Sequence, residues 1–149
     1  MKLTQLSLTN FRSFKDTQSI DIAPVTLLFG PNSVGKSSVL MALAYVQQIL
    51  EKGHCDPQKL DALGNKTIGG FRSLVHGGDL NSTIKIKLDF ELGQTVYRED
   101  DEDYDYLADA FNAEKLDLED FSGSVDRFAF ELEIAWAQEF EWAFVQNYR

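Results

Sequence analysis

Gly30-Pro31-Asn32-Ser33-Val34-Gly35-Lys36-Ser37-Ser38 is the stretch whose reading decides the fold, because it satisfies the pattern G-x-x-x-x-G-K-[S/T] at Gly30, Gly35, Lys36 and Ser37. The pattern has a mechanical basis. Glycines let the backbone curl so that successive N–H groups point inward at phosphate oxygens, and the helix that follows adds the positive end of its dipole. In such a loop Lys36 reaches the β- and γ-phosphates and the Ser37 hydroxyl ligates Mg²⁺. The candidate nucleotide-binding residues are therefore Gly30, Pro31, Asn32, Ser33, Val34, Gly35, Lys36, Ser37 and Ser38, with Lys36 also the candidate catalytic group and Ser37 the metal ligand.

The alternative is an ordinary Gly/Pro/Asn turn between two elements, and the flanking sequence separates the two readings. Val25-Thr26-Leu27-Leu28-Phe29 is a nearly continuous apolar run that predicts a short parallel strand buried on both faces, ending at Gly30. Beyond Lys36 the residues Val39, Leu40, Leu43, Val46 and Leu50 recur at helical spacing, and Gly53 follows as a stop. Strand, glycine loop and helix come in the order the motif requires.

The chain has 149 residues, 44% of them hydrophobic, which is enough for the core of one domain. Its longest unbroken apolar run, Val39 to Val46, is far short of the roughly 18 residues of a membrane span, and the N-terminal MKLTQLSLTNFRSFK is too polar for a signal peptide. The lone Cys55 has no partner for an internal disulfide, in keeping with a reducing compartment, and a cytoplasmic location with no membrane is expected. His54-Cys55-Asp56 suggests a metal cluster, but three adjacent residues in a loop do not converge on one ion, so a solvated loop is expected there.

The net charge of −10 is unevenly placed. Residues 1–88 carry ten Lys/Arg against six Asp/Glu, whereas residues 89–149 carry four against eighteen. A polyphosphate ligand belongs with the first part, and the second part repels nucleic acid unless its charges face elsewhere.

Alternation predicts half-buried strands at Lys2 to Thr9 and at Ser19 to Ala23. Between them lies Asn10-Phe11-Arg12-Ser13-Phe14-Lys15, where Phe11 and Phe14 read as core plugs and Arg12 either as a surface charge or as a ligand contact. The whole run from Leu6 to Leu43 resembles the N-terminal segment of the ATP-binding-cassette class of P-loop ATPases found in SMC, RecF and OLD-type proteins, and in PtuA-like ATPases of bacterial anti-phage systems. The N-F-R-S-F turn paired with G-P-N-x-x-G-K-S carries that resemblance over about the first third of the chain. It implies that Arg12 lies beside the nucleotide, that ATP and Mg²⁺ are the cofactors, and that ATP sits between two domains facing head to head in a homodimer. It also implies a role in DNA repair or phage defence, with a nuclease and DNA as possible partners. Ser33 and Val34 depart from the commoner N-G-S-G-K-S or N-G-A-G-K-S loop, which bears on subfamily and leaves the four essential positions intact.

Farther along, residues 53–67 read as an exposed connection with one helical turn around Leu60 and Leu63. Phe71-Arg72-Ser73-Leu74-Val75-His76 lies between two Gly-Gly pairs, and the simpler reading docks Phe71, Leu74 and Val75 on the core. A similar stretch in related defence-type ATPases implies the other reading, with Arg72 or His76 approaching nucleotide or partner. Strict alternation marks strands at Ile84 to Leu92, Phe128 to Trp136 and Phe140 to Phe144, forming an antiparallel meander. An acidic run from Glu99 to Asp105 precedes a helical pattern through Tyr104, Leu107, Ala108 and Phe111, and reads as a solvated loop or helix start.

A hydrolysing P-loop enzyme of this class also needs an apolar strand ending in Asp, followed by Glu. Leu116 to Asp120 has acids without the apolar run, Phe121 to Ser124 only faintly matches the L-S-G-G signature, and Gln94, Gln138 and Gln146 compete for the metal-contacting glutamine. The expectation is thus an α/β fold: the N-terminal lobe of an ABC-ATPase-like P-loop NTPase with an antiparallel side sheet. It divides into a P-loop lobe at 1–53, a connection at 54–82 and a meander with an acidic insertion at 83–149, the rest of the domain lying outside this sequence. The expected function is ATP binding, with hydrolysis only once a C-terminal half and a second subunit are present. A non-hydrolysing nucleotide sensor that regulates a partner nuclease is the alternative.

Overall fold

The computed structural model describes residues 1–31, 35–64, 66–92 and 127–149. Their strands form a five-stranded sheet in the order β2-β1-β5-β6-β7, built from Lys2–Thr9 (β1), Gln18–Asp21 (β2), Ile84–Glu91 (β5), Arg127–Ala137 (β6) and Trp142–Tyr148 (β7). Lys59–Leu60 (β3) and Lys66–Thr67 (β4) make a separate two-stranded ladder. The expected N-terminal strands and the meander share this one sheet.

Alternation produces this sheet in a simple way. Leu6 and Leu8 on β1, Ile84, Ile86 and Leu88 on β5, and Leu132 and Ile134 on β6 are buried, while the intervening residues are half-buried or exposed. β1 pairs with β2 antiparallel, Leu6 opposite Ile20, and the exposed face of that pair is laced by hydroxyls, with Ser7 bonded to Ser19 and Thr9 to Thr17 at 2.8 Å. β6 and β7 are antiparallel as expected, joined by a turn over residues 138–141 in which Glu141 takes φ 53, with an irregularity in register between Glu133 and Ile134.

The helix α1 spans Lys36–Lys52 and ends where the glycine signal places it: Gly53 is left-handed, and its N–H bonds to the Ile49 carbonyl at 2.7 Å. Its buried face differs from the expected one. Ser38, Met41, Tyr45, Gln48 and Ile49 point inward together with Val39, Ala42, Ala44 and Val46, leaving Leu40 and Leu50 56% and 63% exposed. The Tyr45 ring stacks on Phe11 at 6.2 Å, and its hydroxyl donates to the Cys55 carbonyl at 2.5 Å. Burial, with Cys55 and Asp56 nearby, holds the Tyr45 pKa well above the usual phenol range, so the hydroxyl stays a donor.

Two expectations are overturned. Val25 to Phe29 form no strand, and Val25, Leu27 and Phe29 are 77%, 70% and 83% exposed. The β1–β2 ladder ends with the Ile22 N–H on the Thr4 carbonyl, Pro24 offers no N–H to extend it, and the Thr26 hydroxyl ties up both the N–H and the carbonyl of Ala23 in a local turn. The segment around Cys55 is also not solvated. Cys55, Pro57 and Leu60 are buried, and burial pushes the Cys55 thiol pKa up, the outcome for an inert core cysteine. The helical turn expected around Leu60 and Leu63 is a single 3-10 turn, Asp61–Leu63, set between β3 and β4.

The chain divides into two compact units. The larger, Leu3–Asp89 with Ala129–Arg149, holds everything above apart from the strand ends. The smaller comprises Met1–Lys2 and Phe90–Phe128, of whose residues beyond 89 only 90–92 and 127–128 are described; there Phe90 stacks on Phe128 at 4.8 Å. The acidic run at 99–105, the helical pattern at 104–111, Leu116 to Asp120, Phe121 to Ser124 and Gln94 lie outside the described residues.

Candidate functional site

Three segments of the larger unit meet around a polar cavity of about 660 Å³, within the usual size range of small-molecule sites. The first is the start of α1. Gly35 caps it with φ 102, no side chain caps its first turn, and no acidic residue lies there, so its leading N–H groups face a site that favours an anion. Lys36, Ser37 and Ser38 line the cavity, Ser37 being exposed and Ser38 buried.

The Lys36 ammonium turns back onto its own loop, donating to the Gly30 carbonyl at 2.6 Å and the Pro31 carbonyl at 2.5 Å. Two of its three donors are used this way, and a phosphate oxygen is a stronger acceptor than either carbonyl. Gly30 and Pro31 are tied to Lys36 by these bonds and are not among the residues that line the cavity. Asn32, Ser33 and Val34 lie outside the described residues.

The second segment is the turn between β1 and β2. Asn10 and Arg12 both adopt φ 52, and Phe11 pairs with Phe14 across the turn. Phe11 is fully buried, the core plug expected from sequence. Arg12 and Ser13 line the cavity, and the Ser13 hydroxyl lies 3.3 Å from that of Ser38, joining the turn to α1. Phe14 lies against Gly35, where an added Cβ would stand 2.5 Å from the ring and 2.9 Å from Ser13 Oγ. A side chain at Gly35 would meet both this clash and a positive φ. Gly35→Ala is therefore expected to weaken nucleotide binding by displacing the turn from the loop and to destabilise the fold by about 1–3 kcal/mol, as read by thermal melting.

The third segment, residues 66–78, is where sequence reasoning saw least. Phe71 is fully buried against Trp136, the rings 6.0 Å apart, and its N–H donates to the Asp56 carboxylate. Leu74 and Val75 are buried too, as the simpler sequence reading expects. The same segment also holds the arginine turn in place. Arg12 N–H donates to the Leu74 carbonyl at 2.7 Å, His76 N–H to the Asn10 carbonyl at 2.8 Å, and His76 Nδ1 to the Arg12 carbonyl at 2.7 Å. The Arg12 guanidinium in turn donates to the Ser73 carbonyl at 3.1 Å. His76 thus acts on the site through Arg12, while Lys66 and Arg72 line the cavity directly. Nothing in the local pattern at Lys66 signals this, because the residue reaches the cavity only through the β3–β4 ladder. Gln138 and Gln146 are not among the lining residues; Gln138 bonds to Asn81 at 2.8 Å and Gln146 lies on β7.

Among the described residues, no group of three or more His, Cys, Asp or Glu is placed to hold a metal ion. No helix there is long and apolar enough to cross a membrane.

A helix N-terminus opened by a glycine loop, with its lysine and serines facing a cationic cavity, defines a P-loop NTPase site. The profile of the AAA ATPase domain family matches residues 1–140, and the chain belongs to that family. It is also similar to the DNA replication and repair protein RecF of Desulforamulus reducens (strain ATCC BAA-1160 / DSM 100696 / MI-1), 40% identical over 45 residues. That match takes in 30% of this chain and 12% of the RecF protein, so the chain corresponds to only a small part of it.

Proposed function

We propose that the protein binds ATP with Mg²⁺ at the α1 N-terminus and serves as the ATP-binding part of an ATPase that works on DNA, in repair or in anti-phage defence. The observation that carries the binding reading is the gathering of Arg12, Lys36, Lys66 and Arg72 around one cavity that no Asp or Glu lines among the described residues, in a chain of net charge −10. Such a site suits a polyanion, and the loop geometry around Lys36 suits its phosphates. The donor set also fits the cofactors. Lys36 and the first N–H groups of α1 would hold the β- and γ-phosphates, Arg12 would lie beside the nucleotide, and the exposed Ser37 hydroxyl would contribute one oxygen ligand to Mg²⁺. ATP supplies the transferable phosphoryl group when bound, and Mg²⁺ offsets its charge.

Removing the Ser37 hydroxyl tests the metal role separately from phosphate binding. Ser37→Ala should weaken Mg·ATP more than metal-free ATP, and equal losses with and without Mg²⁺ in calorimetry would remove Ser37 from the metal site.

Hydrolysis asks for more than a phosphate cradle and one hydroxyl: aligned water and further charge stabilisation must act together. We infer from the ABC-class resemblance that these come from additional sequence and from a second copy facing the first across the nucleotide. A partner nuclease, or a basic surface elsewhere, would then hold nucleic acid. Residues 1–149 alone should accordingly release no phosphate at any concentration, whereas in a chain that carries the additional sequence, release per protomer should rise with protein concentration. A rate independent of concentration would make each chain self-sufficient.

A further inference from the structure

Lys66 and Arg72 stand out because both lie outside the P-loop motif yet line the cavity that Lys36, Ser37 and Arg12 also line; sequence comparison offers Arg72 nucleotide or partner without distinction and says nothing of Lys66. We propose that Arg72, assisted by Lys66, forms a second cationic wall that contacts the phosphate chain of a nucleoside triphosphate across from the P-loop lysine. This rests on the nucleotide-binding reading above and adds to it which residues grip the phosphates.

The local fold presents Arg72 to the site. It lies in the 3-10 turn Phe71–Ser73, which opens at Gly70 with φ 77 and ψ −171. On one side Phe71 anchors the turn, through its stack on Trp136 and its N–H bond to Asp56. On the other side the Ser73 carbonyl receives the Arg12 guanidinium, so two arginines flank the same turn. The Arg72 stem runs past Gly78, where an added Cβ would stand 3.6 Å from Arg72 Cγ, and Arg72 lines the cavity.

Charge supports the same assignment. Neither the Lys66 nor the Arg72 side chain has an ion-pair or hydrogen-bond partner among the described residues, whereas Lys85, Lys87 and Arg127 each face a carboxylate. Arg72 also borders a smaller cavity of about 300 Å³ that contains Asp56 and Glu141, but no ion pair joins it to either. Asp56 is already the acceptor for the Phe71 N–H. Four cations lining one cavity suit a polyphosphate, which would make charge-assisted contacts with them. Arginine's planar fork suits two oxygens of one phosphate.

The test is calorimetric titration of the whole chain with ATP, ADP and AMP, comparing the parent with Arg72→Gln, Lys66→Gln and the double variant. Lys59→Gln, an exposed lysine outside the cavity, is the charge-matched control. All of these positions are exposed, so the variants should melt with the parent. The expected result is a loss of roughly tenfold in ATP affinity for Arg72→Gln and a larger loss for the double variant. The loss should shrink for AMP, and the salt dependence of ATP binding should become shallower. Lys59→Gln should bind as the parent does. If the parent binds ATP and Arg72→Gln binds it equally well, or if the loss is as large for AMP as for ATP, the phosphate wall is wrong while the P-loop reading stands. If the parent binds no ATP, both readings fall together.

Discussion

Replacing Lys36 with alanine is expected to cost roughly 10- to 100-fold in ATP affinity, the value of a charge-assisted hydrogen bond to phosphate. Lys36 donates to the carbonyls of Gly30 and Pro31 at the start of α1. Alanine removes both the charge and the two bonds to these carbonyls. The loss should therefore be larger for ATP and ADP than for AMP, and melting without nucleotide should change little, because the Lys36 bonds are solvent-exposed. Equal ATP affinity for variant and parent would remove the lysine from the site.

Phe71→Ala should have the largest effect on stability, about 3–5 kcal/mol, because Phe71 is fully buried, stacks on Trp136 and anchors the turn that carries Arg72. A loss of that size lowers the melting temperature by on the order of 10 °C in a domain this long. Binding should suffer as well, since the same segment holds Arg12 through the Leu74 carbonyl and His76. Phe71→Leu, which keeps most of the volume, should recover much of both losses. A variant that melts with the parent would show that this segment does not support the site.

What was legible in the sequence divides along physical lines. Strict alternation located β1, β5, β6 and the start of β7, because one buried face requires it, and Gly53 located the end of α1, because a left-handed cap favours glycine. The apolar run Val25 to Phe29 misled, since such a run is a buried strand only when neighbouring strands flank it, and here Pro24 and the Thr26 hydroxyl end the ladder instead. The helix face was placed only in part: Val39 and Val46 are buried as expected, whereas Leu40 and Leu50 are exposed. Tyr45, Ser38 and Gln48 are buried, and polar residues do not announce burial in a hydrophobic pattern. Lys36, Ser37 and Ser38 were legible as site residues from the motif, and Arg12 from the resemblance; the structure lines one cavity with all four. Lys66 and the supporting role of His76 depend on contacts between distant segments, which no local pattern encodes.

The central claim is that one cavity, walled by the α1 N-terminus, the Arg12 turn and residues 66–78, receives a nucleoside triphosphate. Amide NMR of the 16.9 kDa chain during titration with Mg·ATP tests it most directly. Saturable shifts are expected at Lys36 to Ser38, at Arg12 and Ser13, and from Arg72 to Gly78, with β7 and the apolar groove of about 540 Å³ beside Ile49, Trp142 and Phe144 unchanged. Shifts confined to that groove, or no saturable shifts at all, would contradict it.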